Sequence, residues 1–194
     1  MISITEPIHL ETIFGNLVVR HVSFDNIEGV VITSEKGFPE IVPIRVQSSC
    51  LFSESFLSVD CDCADQLHES LRIISKEGGV VIYLYDEGRG AGLKLKIKAL
   101  YLQQTKSIDT ATAYLALGLQ IDMREYKVAA HVINALLEHN KEVEIITNNP
   151  QKVQHIRELG INVVRRRSIV CIKNEMVRQY LKEKSRVLGH IIEE

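Results

Sequence analysis

The stretch VEIITNNPQKVQHIRELGINVVRR, residues 143–166, decides the architecture. VEIIT (143–147) is a β-branched run, NNP a turn, QKVQHIREL (151–159) a helix, Gly160 a stop and INVVRR (161–166) a second strand. Two strands joined through a helix lie parallel in one sheet, because the helix carries the chain back to its starting edge. Within the turn, Asn149 suits the N-cap and Pro150 the first helical position, with Thr147 and Lys152 flanking the exposed N–H groups. That arrangement either seats a phosphate or simply caps the helix.

The alternation extends outward. VVIYLY (80–85) is a buried strand; before it, residues 64–77 carry Leu67, Leu71 and Ile74 at helical spacing and stop at Gly78-Gly79. After it, DEGRGAGL turns into a second helix with Leu93, Ile97, Leu100 and Tyr101 on one face, and a third is predicted over about 124–139, with Ala129, Val132, Ile133, Leu136 and Leu137 as its stripe. The first 47 residues are β-rich: NLVVRHVSF (16–24), GVVITS (29–34) and IVPIRV (41–46). The fold class is therefore α/β, or mixed α+β: a mixed sheet flanked by helices, with a β-rich N-terminal portion. At 194 residues, one domain over 1–194 is expected.

A net charge of −2 with Lys and Arg spread along the chain gives no support to general nucleic-acid binding, and RRR at 165–167 reads as a solvated strand end. No signal-peptide pattern and no bilayer-length apolar run appear, so a soluble, cytoplasmic protein without membrane association is expected. Thiols stay reduced there, so a cysteine cluster suggests metal binding or catalysis before disulfides. Cys50, Cys61 and Cys63 form C-x10-C-x-C. Soft thiolates favour zinc, and three of them leave a fourth position for water, the arrangement of a catalytic site. His68 could close the site instead, while Cys171, in SIVCIK, reads as a buried strand cysteine.

Two further segments carry chemistry. YDEGRGAGLK places Glu87 and Arg89 among Gly88, Gly90 and Gly92, where backbone N–H groups can approach an anion, although a tight strand-to-helix turn needs glycine anyway. QIDMREY places Asp122 and Arg124 two apart, on one side of an extended segment; Asp122-x-x-Glu125 equally has the form of a capping box.

Together, RVQSSC, DCDCADQL, EGRGAGLKLKIKA, IDTATAYLALGLQIDMREY, TNNPQKV and YLKEKSRVLGH resemble GTP cyclohydrolase II of riboflavin biosynthesis, in that family's order. The resemblance implies zinc at Cys50, Cys61 and Cys63, and a catalytic pair of Asp122 as proton acceptor and Arg124 as nucleophile; because a guanidinium stays protonated at ordinary pH, the physical alternative is that Arg124 stabilises phosphate charge. It implies GTP, or a related purine nucleotide, held by Arg45, Gln66, Glu87, Gly88, Arg89, Thr110, Thr147 and Lys152. It further implies Mg2+ on the triphosphate, release of formate and pyrophosphate to leave a diaminopyrimidinone ribosyl monophosphate, and a homodimer.

The chain departs from the family pattern in three places. Gln47 and Ser49 replace a histidine and a carboxylate before the first cysteine, and Tyr85 and Asp86 replace arginine and glutamine before E-G-R. The second exchange removes positive charge from the neighbourhood expected for the triphosphate. In KIKALY, Leu100 stands where the family has a catalytic tyrosine, with Tyr101 one residue later, about 100° around a helix. Two alternatives follow: a homologue that opens the ring and keeps the formyl group, and a nucleotide-binding protein with structural zinc that turns nothing over.

Overall fold

In the computed structural model, which describes residues 2–138 and 140–192, the strands are β1 (Ser3–Ile4), β2 (Ile8–Thr12), β3 (Gly15–Phe24), β4 (Ile27–Ser34), β5 (Val42–Ser48), β6 (Val80–Leu84), β7 (Val143–Ile146) and β8 (Val163–Arg167). They form one mixed sheet of order β1-β3-β4-β6-β5-β7-β8, with β2 paired to β3. The N-terminal strands are antiparallel, and β4 meets β6 antiparallel; β6, β5, β7 and β8 run parallel. The α/β fold class and the β-rich N-terminal portion are borne out.

The helices are α1 (Leu51–Glu54), α2 (Cys63–Glu77), α3 (Leu93–Lys106), α4 (Thr110–Ala116), α5 (Lys127–Leu136), α6 (Pro150–Glu158) and α7 (Glu175–Leu188). Strand alternation assigns them to faces. From β6, Val80, Ile82 and Leu84 join the large core that takes in Val132 and Ile133 of α5 and Val153 and Ile156 of α6. Val81 points the other way, onto Ile74 of α2 and Leu17 of β3. Ala99, Ala113 and Tyr114 form a small third cluster between α3 and α4.

Because β5, β6 and β7 are parallel, the segments that follow them emerge along one edge: Ser49-Cys50, Tyr85 to Arg89, and Thr147 to Pro150. Ligands in open α/β sheets bind beyond these carboxyl ends.

Several local expectations are corrected. The third helix starts at Lys127, because Asp122 and Arg124 bond to one another and its N-cap position is Tyr126, without a side-chain cap. No capping box forms at Asp122. The predicted far end of that helix, His139, lies outside the described residues. In α3 the buried position is Ala99, while Ile97 and Tyr101 are exposed. Lys96, Leu100 and Gln103, at i, i+4 and i+7, line a cavity instead, so this helix's inner face is partly polar. Cys171 is half-buried outside any strand. The RRR run is only partly solvated. Arg165 and Arg167 pair with the buried Glu144 at 2.5 and 2.7 Å, and a buried carboxylate left unpaired would cost several kcal/mol.

Candidate active site

Cys50 follows β5, Cys61 sits in the loop beyond α1, and Cys63 opens α2. Their sulfurs all lie within 4.8 Å of one another, with Cys50 and Cys61 at 3.9 Å. Thiolates bound to tetrahedral zinc through bonds of about 2.3 Å stand about 3.8 Å apart, so the donor set fits the ion in type and spacing. Hydrogen bonds from Cys61 and Cys63, with the nearby Lys96 charge, drive the Cys50 thiol down, and the resulting thiolate pushes Cys61 and Cys63 up. His68 is exposed, its ring packed on Phe14 at 5.6 Å, and neither it nor Cys171 belongs to the thiol group.

A shell of polar side chains fixes the triad. Lys96 Nζ lies 3.2 Å from Cys50 Sγ and donates to Glu87 Oε1 at 2.6 Å, while Glu87 Oε2 accepts the Leu51 N–H at 2.8 Å. Glu54 accepts the Cys50 N–H at 3.1 Å and the Tyr83 hydroxyl, and its other oxygen takes Gln47 Nε2 at 3.0 Å. Gln47 thus acts as a brace: its carbonyl oxygen accepts two bonds from Arg45, at 2.9 and 2.7 Å.

The cysteines line one cavity, of about 1310 Å³ including its open mouth, together with Arg45, Gln66, Glu87, Gly88, Arg89, Thr110, Arg124, Thr147 and Lys152. Asp122 does not line it but holds Arg124, which does. Three of the cations are unusual in their partners. Arg45 donates to Gln47, to Gln66 at 2.6 Å and to the Ile146 carbonyl at 3.0 Å; Lys152 donates to the Val46 carbonyl at 2.9 Å. Arg89 reaches the Ile121 carbonyl at 3.4 Å and stacks over Tyr114. None of the three contacts a carboxylate among the described residues. Burial, reinforced by Arg45 and Arg124, holds Lys152 well below the ordinary lysine range, a shift that an anion in the cavity would oppose.

Arg124 is different. Its Nε donates to Asp122 Oδ1 at 2.8 Å, its Nη2 to Oδ2, and its backbone N–H to Oδ1 at 3.1 Å. Burial alone would raise the Asp122 carboxyl, but the Arg124 hydrogen bonds and charge outweigh it and the net shift is downward. Burial would likewise lower Arg124, and the Asp122 bond more than reverses it.

The D-x-R and E-G-R segments are clipped together: Met123 N donates to Arg89 O at 2.9 Å. Gly90, at φ +86°, lies so close that a Cβ would meet Met123 backbone atoms at 2.9 Å. Gly90→Ala should therefore push the two segments apart, lowering stability by about 1–3 kcal/mol and activity with it. Thermal melts and turnover would check this, and an unchanged melting temperature would contradict it.

The departures separate by location. Ser49 and Leu100 line the cavity; Tyr85 and Asp86 do not. Tyr85 is 56% exposed, whereas Asp86 is half-buried and near enough to Arg124 and Lys152 for their charges to act on its carboxyl, so the exchange before E-G-R leaves the cavity lining in place but adds a negative charge beside it. Tyr101 is 65% exposed and does not line the cavity, where Leu100 does. Reading the sequence missed Lys96, Glu54, Asp62, Tyr180, Lys184 and His190. The last three lie on or just after α7, whose sequence signal is the Asn174 N-cap followed by buried Val177, Leu181 and Leu188.

A thiol triad suited to a metal shares its cavity, at the carboxyl edge of a mixed α/β sheet, with three cations that lack carboxylate partners among the described residues, an arrangement suited to a polyanion. The family model described as GTP cyclohydrolase II matches residues 5–168, and the chain belongs to that family. It is 42% identical over 151 residues to the GTP cyclohydrolase-2 of Buchnera aphidicola, covering 77% of this chain and 76% of the relative. The Pasteurella multocida GTP cyclohydrolase-2 is 39% identical over 189 residues, 95% of this chain and 85% of the relative. The riboflavin biosynthesis protein RibBA of Staphylococcus haemolyticus is 37% identical over 84% of this chain, which spans only 41% of that longer protein.

Proposed function

We propose that this chain hydrolyses the guanine imidazole ring of GTP, releasing formate and pyrophosphate and leaving 2,5-diamino-6-ribosylamino-pyrimidinone 5′-phosphate. The observation that carries this reading is the sharing of one cavity by the thiol triad and by Arg45, Arg89 and Lys152, three cations without carboxylate partners. The family match and the relatives' names support the substrate.

Zinc held by Cys50, Cys61 and Cys63 would supply Lewis acidity and a water of lowered pKa, suited to attack on an electron-poor ring carbon. The remaining roles belong to side chains. Asp122, ionised through neutrality, would take the proton released by the attacking water and return it to the departing ring nitrogen as the C–N bond breaks, and it fixes the Arg124 fork. Arg124, kept protonated by that carboxylate, serves as a stabiliser of phosphate charge rather than as a nucleophile. Arg45, Arg89 and Lys152 receive the triphosphate with Mg2+, alongside Thr147 and the capped start of α6. Glu87, Gly88, Gln66 and Thr110 orient the nucleoside. A homodimer is proposed on the family resemblance and is checked by sedimentation; no helix among the described residues is long and apolar enough to cross a membrane.

One observation favours a second reading. With Leu100 in the cavity wall and Tyr101 turned to solvent, the ring could open while the formyl group stays on the product. Zinc-loaded protein given GTP and Mg2+, with formate, pyrophosphate and pyrimidine followed separately, decides between the two. One formate per turnover supports full hydrolysis, and pyrophosphate without formate supports formyl retention. No product of either kind would remove the GTP reading.

A further inference from the structure

The cavity is closed on one side by the segment after β8, beyond the family match. Asn174 donates to the Val59 carbonyl at 3.3 Å and Lys184 to Asp62 at 3.1 Å, which fastens α7 to the loop between Cys50 and Cys63. Ile191 N then donates to the Asn148 carbonyl at 2.8 Å, which fastens the end of the strap to the turn before α6. Between these anchors, Tyr180, Lys184, Leu188 and His190 line the cavity.

His190 is the anomaly. Its Nε2 is buried and has no hydrogen-bond partner among the described residues; the other such atom, Glu144 Oε2, faces the Arg167 guanidinium at 2.7 Å. A buried ring nitrogen left unpaired is costly. Burial, reinforced by the charges of Lys184, Arg124, Lys152 and Arg89, holds the imidazole down to about 3, so the ring is neutral at physiological pH. In the tautomer that carries the ring proton on Nε2, the partner that suits this nitrogen in a cavity lined by Lys184, Arg124, Lys152 and Arg89 is an anionic oxygen, which those cations attract as well.

We propose that His190 is a substrate-binding residue whose Nε2–H donates to a phosphate oxygen of the bound nucleotide, delivered by the strap that spans the thiol loop and the α6 turn. The ligand class, a nucleoside triphosphate, rests on the function proposed above; the phosphate contact itself can be read without turnover. The probes are tripolyphosphate and guanosine, titrated calorimetrically into the zinc-loaded full chain. His190→Leu, which keeps bulk without a donor, should weaken tripolyphosphate about tenfold and leave guanosine unchanged, while His190→Gln, which keeps an N–H, should stay within about threefold of wild type. Melting temperatures check that both variants are folded. Equal tripolyphosphate binding by wild type and His190→Leu would overturn the proposal, as would equal weakening by both variants, which marks a packing role. If the tripolyphosphate pattern holds while GTP is not turned over, the GTP reading fails and the His190 contact stands. If GTP is turned over with the same KM in His190→Leu, the reverse is true.

Discussion

Replacing Cys61 with alanine should leave less than about a tenth of the wild-type zinc and lower product formation by at least about a hundredfold, the upper end of the loss seen when even a supporting residue of a metal ligand is removed. Cys61 is the most telling of the three. It sits in a loop, so its loss removes a donor without cutting into a helix or strand, whereas Cys50 and Cys63 border α1 and α2. Two thiols then remain, and among the described residues no further His, Cys, Asp or Glu belongs to the group, His68 being exposed and outside it. Metal content by emission spectroscopy and turnover are read together. Full zinc retention would show that the ligand set is wrong, and zinc loss with normal turnover would make the metal structural.

Asp122→Asn is expected to lower kcat by about 10²- to 10⁴-fold, the range for a positioned acid or base, with a smaller change in KM. The asparagine keeps the shape and one acceptor but cannot accept a proton or offer a charged pair to the Arg124 fork. Its cost in stability is about 1–3 kcal/mol, below that of a wholly buried pair because the Asp122 side chain is 25% exposed. The sign with pH follows from the lowered carboxyl. A folded-state pKa below the unfolded value of about 3.9 stabilises the fold above that value and loses the contribution as pH falls through the folded pKa. The stability gap between wild type and Asp122→Asn should therefore be full at neutrality and close below about pH 4. Denaturant titrations across that range test it; a gap that stays constant into acid would remove the ion pair from the account. Arg124→Lys keeps the charge but loses the fork, and a rate near wild type would show that only the charge matters.

What could be read in advance followed from local signals. The strand, cap and helix of residues 143–159 appear within about one residue of their expected ends, because alternation, an Asn cap and Pro at the first turn all act on short stretches of chain. The D-x-R pair was legible for the same reason, since two residues apart in an extended segment is a local fact. The cations left without carboxylate partners were not legible, because Arg45 finds Gln66 and the Ile146 carbonyl only after β5, α2 and β7 have assembled. The stripe assigned to α3 failed because apolar spacing cannot tell a wall against protein from a wall against a cavity. Likewise no helix was expected at α7, although YLKEKSRVLGH entered the family resemblance: its buried positions are few, and Lys184 and the residues after Gly189 gain meaning only from what they cover.

The position of β6 between β4 and β5 has a further consequence, for the order of assembly. β3 and β4 are joined by the Asp25-Asn26 turn and pair in an unbroken register from Phe24↔Ile27 outward, so they can zip from one end. β6 has no such route, since it must enter beside β4 and complete parallel pairing with β5, a strand made earlier whose far neighbour β7 comes some hundred residues later. Amides of β3 and β4 should accordingly gain protection from pulsed deuterium labelling before those of β5, β6 and β7 during refolding; simultaneous protection would contradict this. Cys50, Cys61 and Cys63 all lie in the first half of the crossover between β5 and β6, so the three sulfurs should reach their final spacing only when that crossover docks, in the late stage of the process, and not in a chain that has only its hairpin.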